Sequence, residues 1–156
     1  MVDITEVSAV VAAVGVFIGV VYYILDIRHQ ARVRQTDLVM ELYSEAGSKE
    51  LLEAYHTFFF EDLRSIEDVK SRPSLWVSFN MYCMFYERVG ILLHKRLIDI
   101  DLVDDLFSID IKIVWEKVRP IVEEVRARGG VWKAYYEWFE YLHDQMKERE
   151  QKQEAS

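Results

Sequence analysis

Two Glu-x-x-His pairs, Glu53-x-x-His56 and Glu140-x-x-His143, are the residues of this chain whose spacing suits chemistry. On a helix, positions i and i+3 share a face, and two such pairs on facing helices are how a four-helix bundle holds a dinuclear metal centre. Glu87, with Glu116 or Glu123, would complete the ligand set, and the centre would do oxygen or redox work at iron or manganese. The pattern is loose, because a chain this rich in glutamate presents the pair by chance. Glu53 also lies one position from the Leu52, Tyr55 and Phe59 stripe, where it would face water. Solvated or locally hydrogen-bonded side chains are the leading reading of all four residues, and no cofactor is expected.

Other chemistries lack their residues. Six glycines and one cysteine, as spaced, form no phosphate-binding loop, nucleophile elbow or paired-cysteine metal site. Asp99 and Asp101 lack the glycine and closing glutamate of a calcium loop and read as helix N-cap chemistry. Cys83 lies in an apolar run, reads as a small buried hydrophobe, and has no partner for an intrachain disulfide. Asn80, Glu87 and His94 form a thin polar line on one predicted helix, read as an exposed face, with a buried polar contact as the alternative. Trp76, Trp115, Trp132, Trp138 and the Phe58-Phe59-Phe60 run read as core, with a hydrophobic ligand pocket as the alternative. Any aromatic left over would anchor a partner.

The elements that would position these residues are helices. A length of 156 residues allows one domain after an anchor, and two prolines and six glycines leave little for β-turns. The net charge of -8, with no clustered Lys and Arg, argues against a nucleic-acid partner. Val7 through Leu25 carry no charge, and as a helix these nineteen residues span about 28 Å, close to a bilayer core. The acidic start, with Asp3 and Glu6, is unlike a cleaved signal peptide. Arg28, Arg32 and Arg34 follow the apolar run while no Lys or Arg precedes it, which places segment 1–6 outside and the body in the cytosol. Tyr22 and Tyr23 fall at the expected interface. Ser8, Ala12, Gly15 and Gly19 share a face on which a second transmembrane helix would pack.

The anchor, 7–25, is expected to continue as a helical stalk over 26–46, ending at Gly47. The cytosolic helical bundle, 47–146, begins with a Ser48 N-cap and a helix carrying Leu52, Tyr55 and Phe59. A loop over Glu61 to Pro73 holds one helical turn near Ile66. The strongest periodicity, Trp76, Phe79, Cys83, Tyr86, Gly90, Leu93 and Leu97, marks the central helix. A short helix follows through Leu106, then a further helix from Ile111 to Val125, kinked at Arg119 by Pro120. Gly129 and Gly130 end it. Trp132, Tyr135, Phe139, Leu142 and Met146 share a face of the last helix, and a polar tail occupies 147–156.

Several runs carry a family resemblance. These are Tyr86-Glu87-Arg88-Val89-Gly90, then Leu97-Ile98-Asp99 with Asp101-Leu102-Val103 and Asp105-Leu106-Phe107, then Trp115-Glu116, Arg119-Pro120-Ile121 and Trp138-Phe139-Glu140-Tyr141-Leu142. Together they resemble an uncharacterised domain family of archaeal and bacterial single-pass membrane proteins. The resemblance implies an N-terminal anchor and an all-helical cytosolic domain, and supplies no functional residues. Where the family pattern has a glycine before Leu97, this chain has Arg96.

Membrane location without catalytic residues leads to the expectation of a membrane-anchored, non-catalytic accessory or regulatory subunit. Its partners would be lipid and either other membrane-complex subunits or a second copy. A self-associating scaffold and a metal-binding redox enzyme or sensor are the alternatives.

Overall fold

The computed structural model describes residues 4–155, all helix and connecting turns, with no strand among them. The first three residues of the expected outside segment and Ser156 of the tail lie outside the described residues. The elements are α1 (Ile4–Ala46), α2 (Lys49–Phe60), α3 (Ile66–Ser71), α4 (Pro73–His94), α5 (Ile100–Arg126), a 3-10 helix (Gly130–Ala134) and α6 (Glu137–Glu154). They fall into two units, Met1–Asp37 and Leu38–Ser156.

The first unit is α1 up to Asp37. Among the described residues one helix is long and apolar enough to cross a membrane, and it is this one, with mean hydropathy 1.8 and no buried residue in its apolar window. Phe17, Ile18, Tyr22, Tyr23 and Leu25 are all exposed.

The second unit begins inside α1, because Val39 and Leu42 are buried in the same core as the later helices, so the last turns of the expected stalk belong to the body. α4 is central and packs against α2, α3, α5 and α6. Phe79, Cys83 and Val89 of α4 are fully buried, as are Phe58, Val114, Phe139 and Leu142 from the surrounding helices. Rings fill the space between them: Phe58 stacks on Tyr82 with centroids 5.7 Å apart, and Tyr86 on Phe139 at 5.0 Å. The helix starts follow their sequence signals. Ser48 accepts from the Leu51 N–H at 3.2 Å, Ser65 from Asp68 at 3.1 Å and Asp99 from Asp101 at 2.9 Å, each satisfying one otherwise unpaired donor.

Four expectations about helix boundaries are corrected. The short helix after Asp99 and the helix from Ile111 are one, α5, because Val103, Phe107, Ile111, Val114 and Val118 form an unbroken buried stripe. α5 runs through Pro120, which deprives the Glu116 carbonyl of its helical donor without ending the helix. The last helix starts at Glu137 instead of near Trp132. Positive φ at Gly129 and Gly130 leads into the 3-10 turn, and Tyr136 is left-handed at φ 53°. The polar tail is helical to Glu154. Its polarity reflects ion pairing with α5: Arg149 bridges Asp101 at 2.5 Å and Asp104 at 2.7 Å, and Lys112 reaches Glu150 at 2.9 Å.

α4 ends at His94, earlier than the Leu97 that periodicity suggests. The Leu97 N–H donates to the Leu92 carbonyl and the Arg96 N–H to Leu93, both at 2.9 Å, the paired bonds of a Schellman ending. That ending requires a left-handed residue between them, and Arg96 supplies it at φ 57°. A side chain there costs about 1 kcal/mol relative to glycine. Arg96→Gly in the full chain should therefore raise stability by about 0.5–1 kcal/mol in denaturant melts followed by circular dichroism, and a loss of stability would contradict the strain argument.

Candidate functional site

The residues of the proposed metal set are dispersed among separate local contacts. Glu53 and His56 are exposed on α2, where Glu53 pairs with Lys49 at 3.6 Å and the His56 ring lies 4.8 Å from Phe60. Glu140 on α6 accepts from Arg126 at 2.5 Å. His143 is buried beside Trp115, with Asp144 at 3.1 Å and Glu116 at 3.7 Å. Glu123 is exposed on α5, and Glu87 is occupied elsewhere. Among the described residues, no group of three or more His, Cys, Asp and Glu is placed to hold a metal ion.

Glu87 instead caps a helix to which it does not belong. Tyr136, the N-cap of α6, makes no side-chain cap bond. Glu87 reaches across from α4 and accepts the Phe139 N–H at 2.8 Å, putting a carboxylate on the positive end of α6. Burial raises its carboxyl above the usual range, opposed by hydrogen bonds from the Phe139 and Trp138 backbone. One turn on, Gly90 admits the α6 backbone: a Cβ built there would sit 2.0 Å from the Trp138 carbonyl oxygen. The same device recurs on α5. Glu124 accepts the Ile66 N–H at 2.9 Å at the start of α3, and Lys117 donates to the Phe59 carbonyl at 2.5 Å near the end of α2. Arg126 Nε donates to the Tyr135 carbonyl at 2.9 Å.

The thin polar line is likewise internal for two of its three residues. Asn80 accepts from the Tyr136 hydroxyl at 3.1 Å and Glu87 caps α6, so the buried-contact alternative holds for both. His94 is exposed, with its ring 4.3 Å from Trp138. Cys83 is fully buried and burial pushes its thiol well up, which makes it a poor nucleophile.

A cleft of about 420 Å³ lies in the helical body between the end of α1, α2, α4 and α5. Its walls include Tyr43, Tyr55, Tyr82, Tyr86, Phe85 and Phe107, its mouth Leu52 and Leu106, and Asp110 is the one charged side chain lining it. Partial burial raises the Asp110 carboxyl, and its negative charge helps to hold the Tyr55, Tyr82 and Tyr86 hydroxyls protonated. These residues went unnoticed in the sequence as a site. The available signal was Asp110 itself, a carboxylate at i+3 from Phe107 and one position before Ile111, on the flank of an apolar stripe. Gly15 and Gly19 of the small-residue face have nothing within 4 Å of a built Cβ, Ala12 is exposed, and Ser8 has an interaction of its own.

Comparison with known proteins gives one match: a family described as a domain of unknown function, DUF4760, over residues 9–146. No curated protein and no solved structure matches.

Two variants test the α4–α6 contact. Gly90→Ala should cost about 3 kcal/mol, since the methyl meets backbone and not a flexible side-chain end; a neutral result in thermal melts would mean that the helices separate cheaply. For Glu87 the folded carboxyl titrates above its unfolded value, so its stabilisation is full below the unfolded value and declines as pH rises through the raised one. The stability of the wild type minus that of Glu87→Gln should accordingly fall as pH rises above the ordinary carboxylate range in parallel denaturant titrations, and a rise would reverse the sign of the burial effect.

Proposed function

The chain belongs to the DUF4760 family, and from that premise we propose that it is a membrane-anchored, non-catalytic accessory or regulatory subunit whose helical body docks on a membrane complex. The reading rests chiefly on the uncovered apolar surface of α1 from Val11 to Leu25. Val16, Phe17 and Ile18 are each more than 60% exposed, and a continuous patch of this kind in water costs about 25 cal/mol per Å². A bilayer removes that cost and also favours Tyr22 and Tyr23 at its interface. The arginines at 28, 32 and 34 support an inside location for the body.

The body adds a second line of support. Its Glu87, Glu124, Glu140, Arg126 and Lys117 are engaged in helix capping and ion pairs, roles that hold the body together. Exposed Phe60, Trp132 and neighbouring Val131 offer the surface aromatic and apolar anchors that interfaces use. Tethering raises the effective concentration of such a surface beside a membrane partner, so a modest interface suffices.

The full chain should stay with vesicles through alkaline carbonate washing, and a C-terminal tag should resist protease added outside sealed cells. Extraction of the intact chain, or external cleavage of the tag, would overturn the anchor or its orientation respectively. Crosslinking in membranes should give heterologous adducts that Phe60→Ala or Trp132→Ala weakens. Homodimeric adducts abolished by Gly15→Leu and Gly19→Leu would favour the self-associating scaffold.

A further inference from the structure

The geometry points to the cleft around Asp110 as a binding site for a small organic cation, of the quaternary or methylated ammonium class. Two independent features of the cleft favour positive charge. The rings of Tyr43, Tyr55, Tyr82 and Phe107 present aromatic surface, and such faces attract a cation lying within about 6 Å of the ring centroid. Their mutual spacing, 5.6 Å for Tyr55 to Tyr82 and 6.4 Å for Tyr43 to Phe107, makes a wall of neighbouring rings instead of isolated ones.

Asp110 supplies the counter-charge, and no Lys, Arg or His lines the cleft to neutralise it. Among the described residues no hydrogen bond or ion pair engages this carboxylate, whereas Asp101 and Asp104 on the same helix are both held by Arg149. A bare metal ion would find one carboxylate here, and among the described residues no group of three His, Cys, Asp or Glu is placed to hold one. A methylated ammonium needs no directed hydrogen bonds, and both the aromatic wall and the cleft volume of about 420 Å³ suit it.

The net charge of -8 draws cations toward the molecule in general, so the test must separate a built site from diffuse attraction. The full chain in dodecyl maltoside micelles, which carry no ammonium group, is titrated calorimetrically with choline and with its uncharged isostere 3,3-dimethylbutan-1-ol. Choline should bind with one saturable site and at least about tenfold more tightly than the isostere. Asp110→Asn, at an exposed helix position, and Tyr55→Leu should each weaken choline about tenfold, while Tyr55→Phe, which keeps the ring, should retain it.

The same titration in nanodiscs distinguishes two sources of the cation. Choline uptake in phosphatidylglycerol discs that disappears when phosphatidylcholine is mixed in assigns the ammonium to a lipid headgroup. Equal uptake in both assigns it to the free ion. Equal affinity for choline and its neutral isostere overturns the proposal, as does undiminished choline binding by a folded Asp110→Asn variant.

Discussion

At Gly90 two backbones meet with no room for a methyl group between them, and much of the helical body is arranged around that approach. Because α4 and the start of α6 come so close, Glu87 can reach the first turn of α6 and Tyr86 can lie flat on Phe139. Phe139 in turn meets Trp115 edge to face at 5.0 Å, which ties α5 into the same contact. A larger residue at position 90 would separate α6 from its cap, its ring stack and its neighbour together. The run from Tyr86 to Gly90, which reads in the sequence as a family signature, is thus explained by packing and capping.

The charged residues follow a related logic. Glu87, Glu124 and Lys117 each leave their own helix to satisfy an end of another, an acid at two N-termini and a base near one C-terminus. Opposite polarity at the two ends of a helix is what the peptide dipoles favour, while partial burial works against the charged form of Glu87 and of Lys117. Residues so engaged are poorly available for catalysis. Asp110, by contrast, has no ion-pair partner among the described residues and lines the aromatic cleft.

Much of the architecture was legible from local signals. Ser48 and Asp99 announce helix starts, the three-and-four spacing from Trp76 marks the central helix, and the uncharged run before Asp26 marks the apolar one. What escaped were features set by distant residues. A short helix through Leu106 and a further one from Ile111 read as two, but the buried stripe that runs from Val103 through Phe107 and Ile111 to Val118 makes them one long helix. Lys147 onward looked like a solvated tail because Arg149 and Glu150 find their partners on α5, far away in sequence. Trp132 kept the period of the last helix yet lies before it, since glycine and tyrosine φ angles redirect the chain. The two Glu-x-x-His pairs show the same limit: spacing places residues on a face and leaves open which faces meet. Asp110 and the tyrosines around it come from four segments, so no single stretch of sequence displays them together.

The seclusion of Cys83 has a practical side. It is the chain's only thiol, sits at the centre of α4 with no exposed surface, and is chemically quiet while the helices stay packed. A thiol-labelling reagent can reach it only when the core opens, so the pace of modification becomes a clock for breathing of the folded body. The same quietness leaves any cysteine introduced on the surface as the sole handle for a spectroscopic probe, with no native residue to remove first.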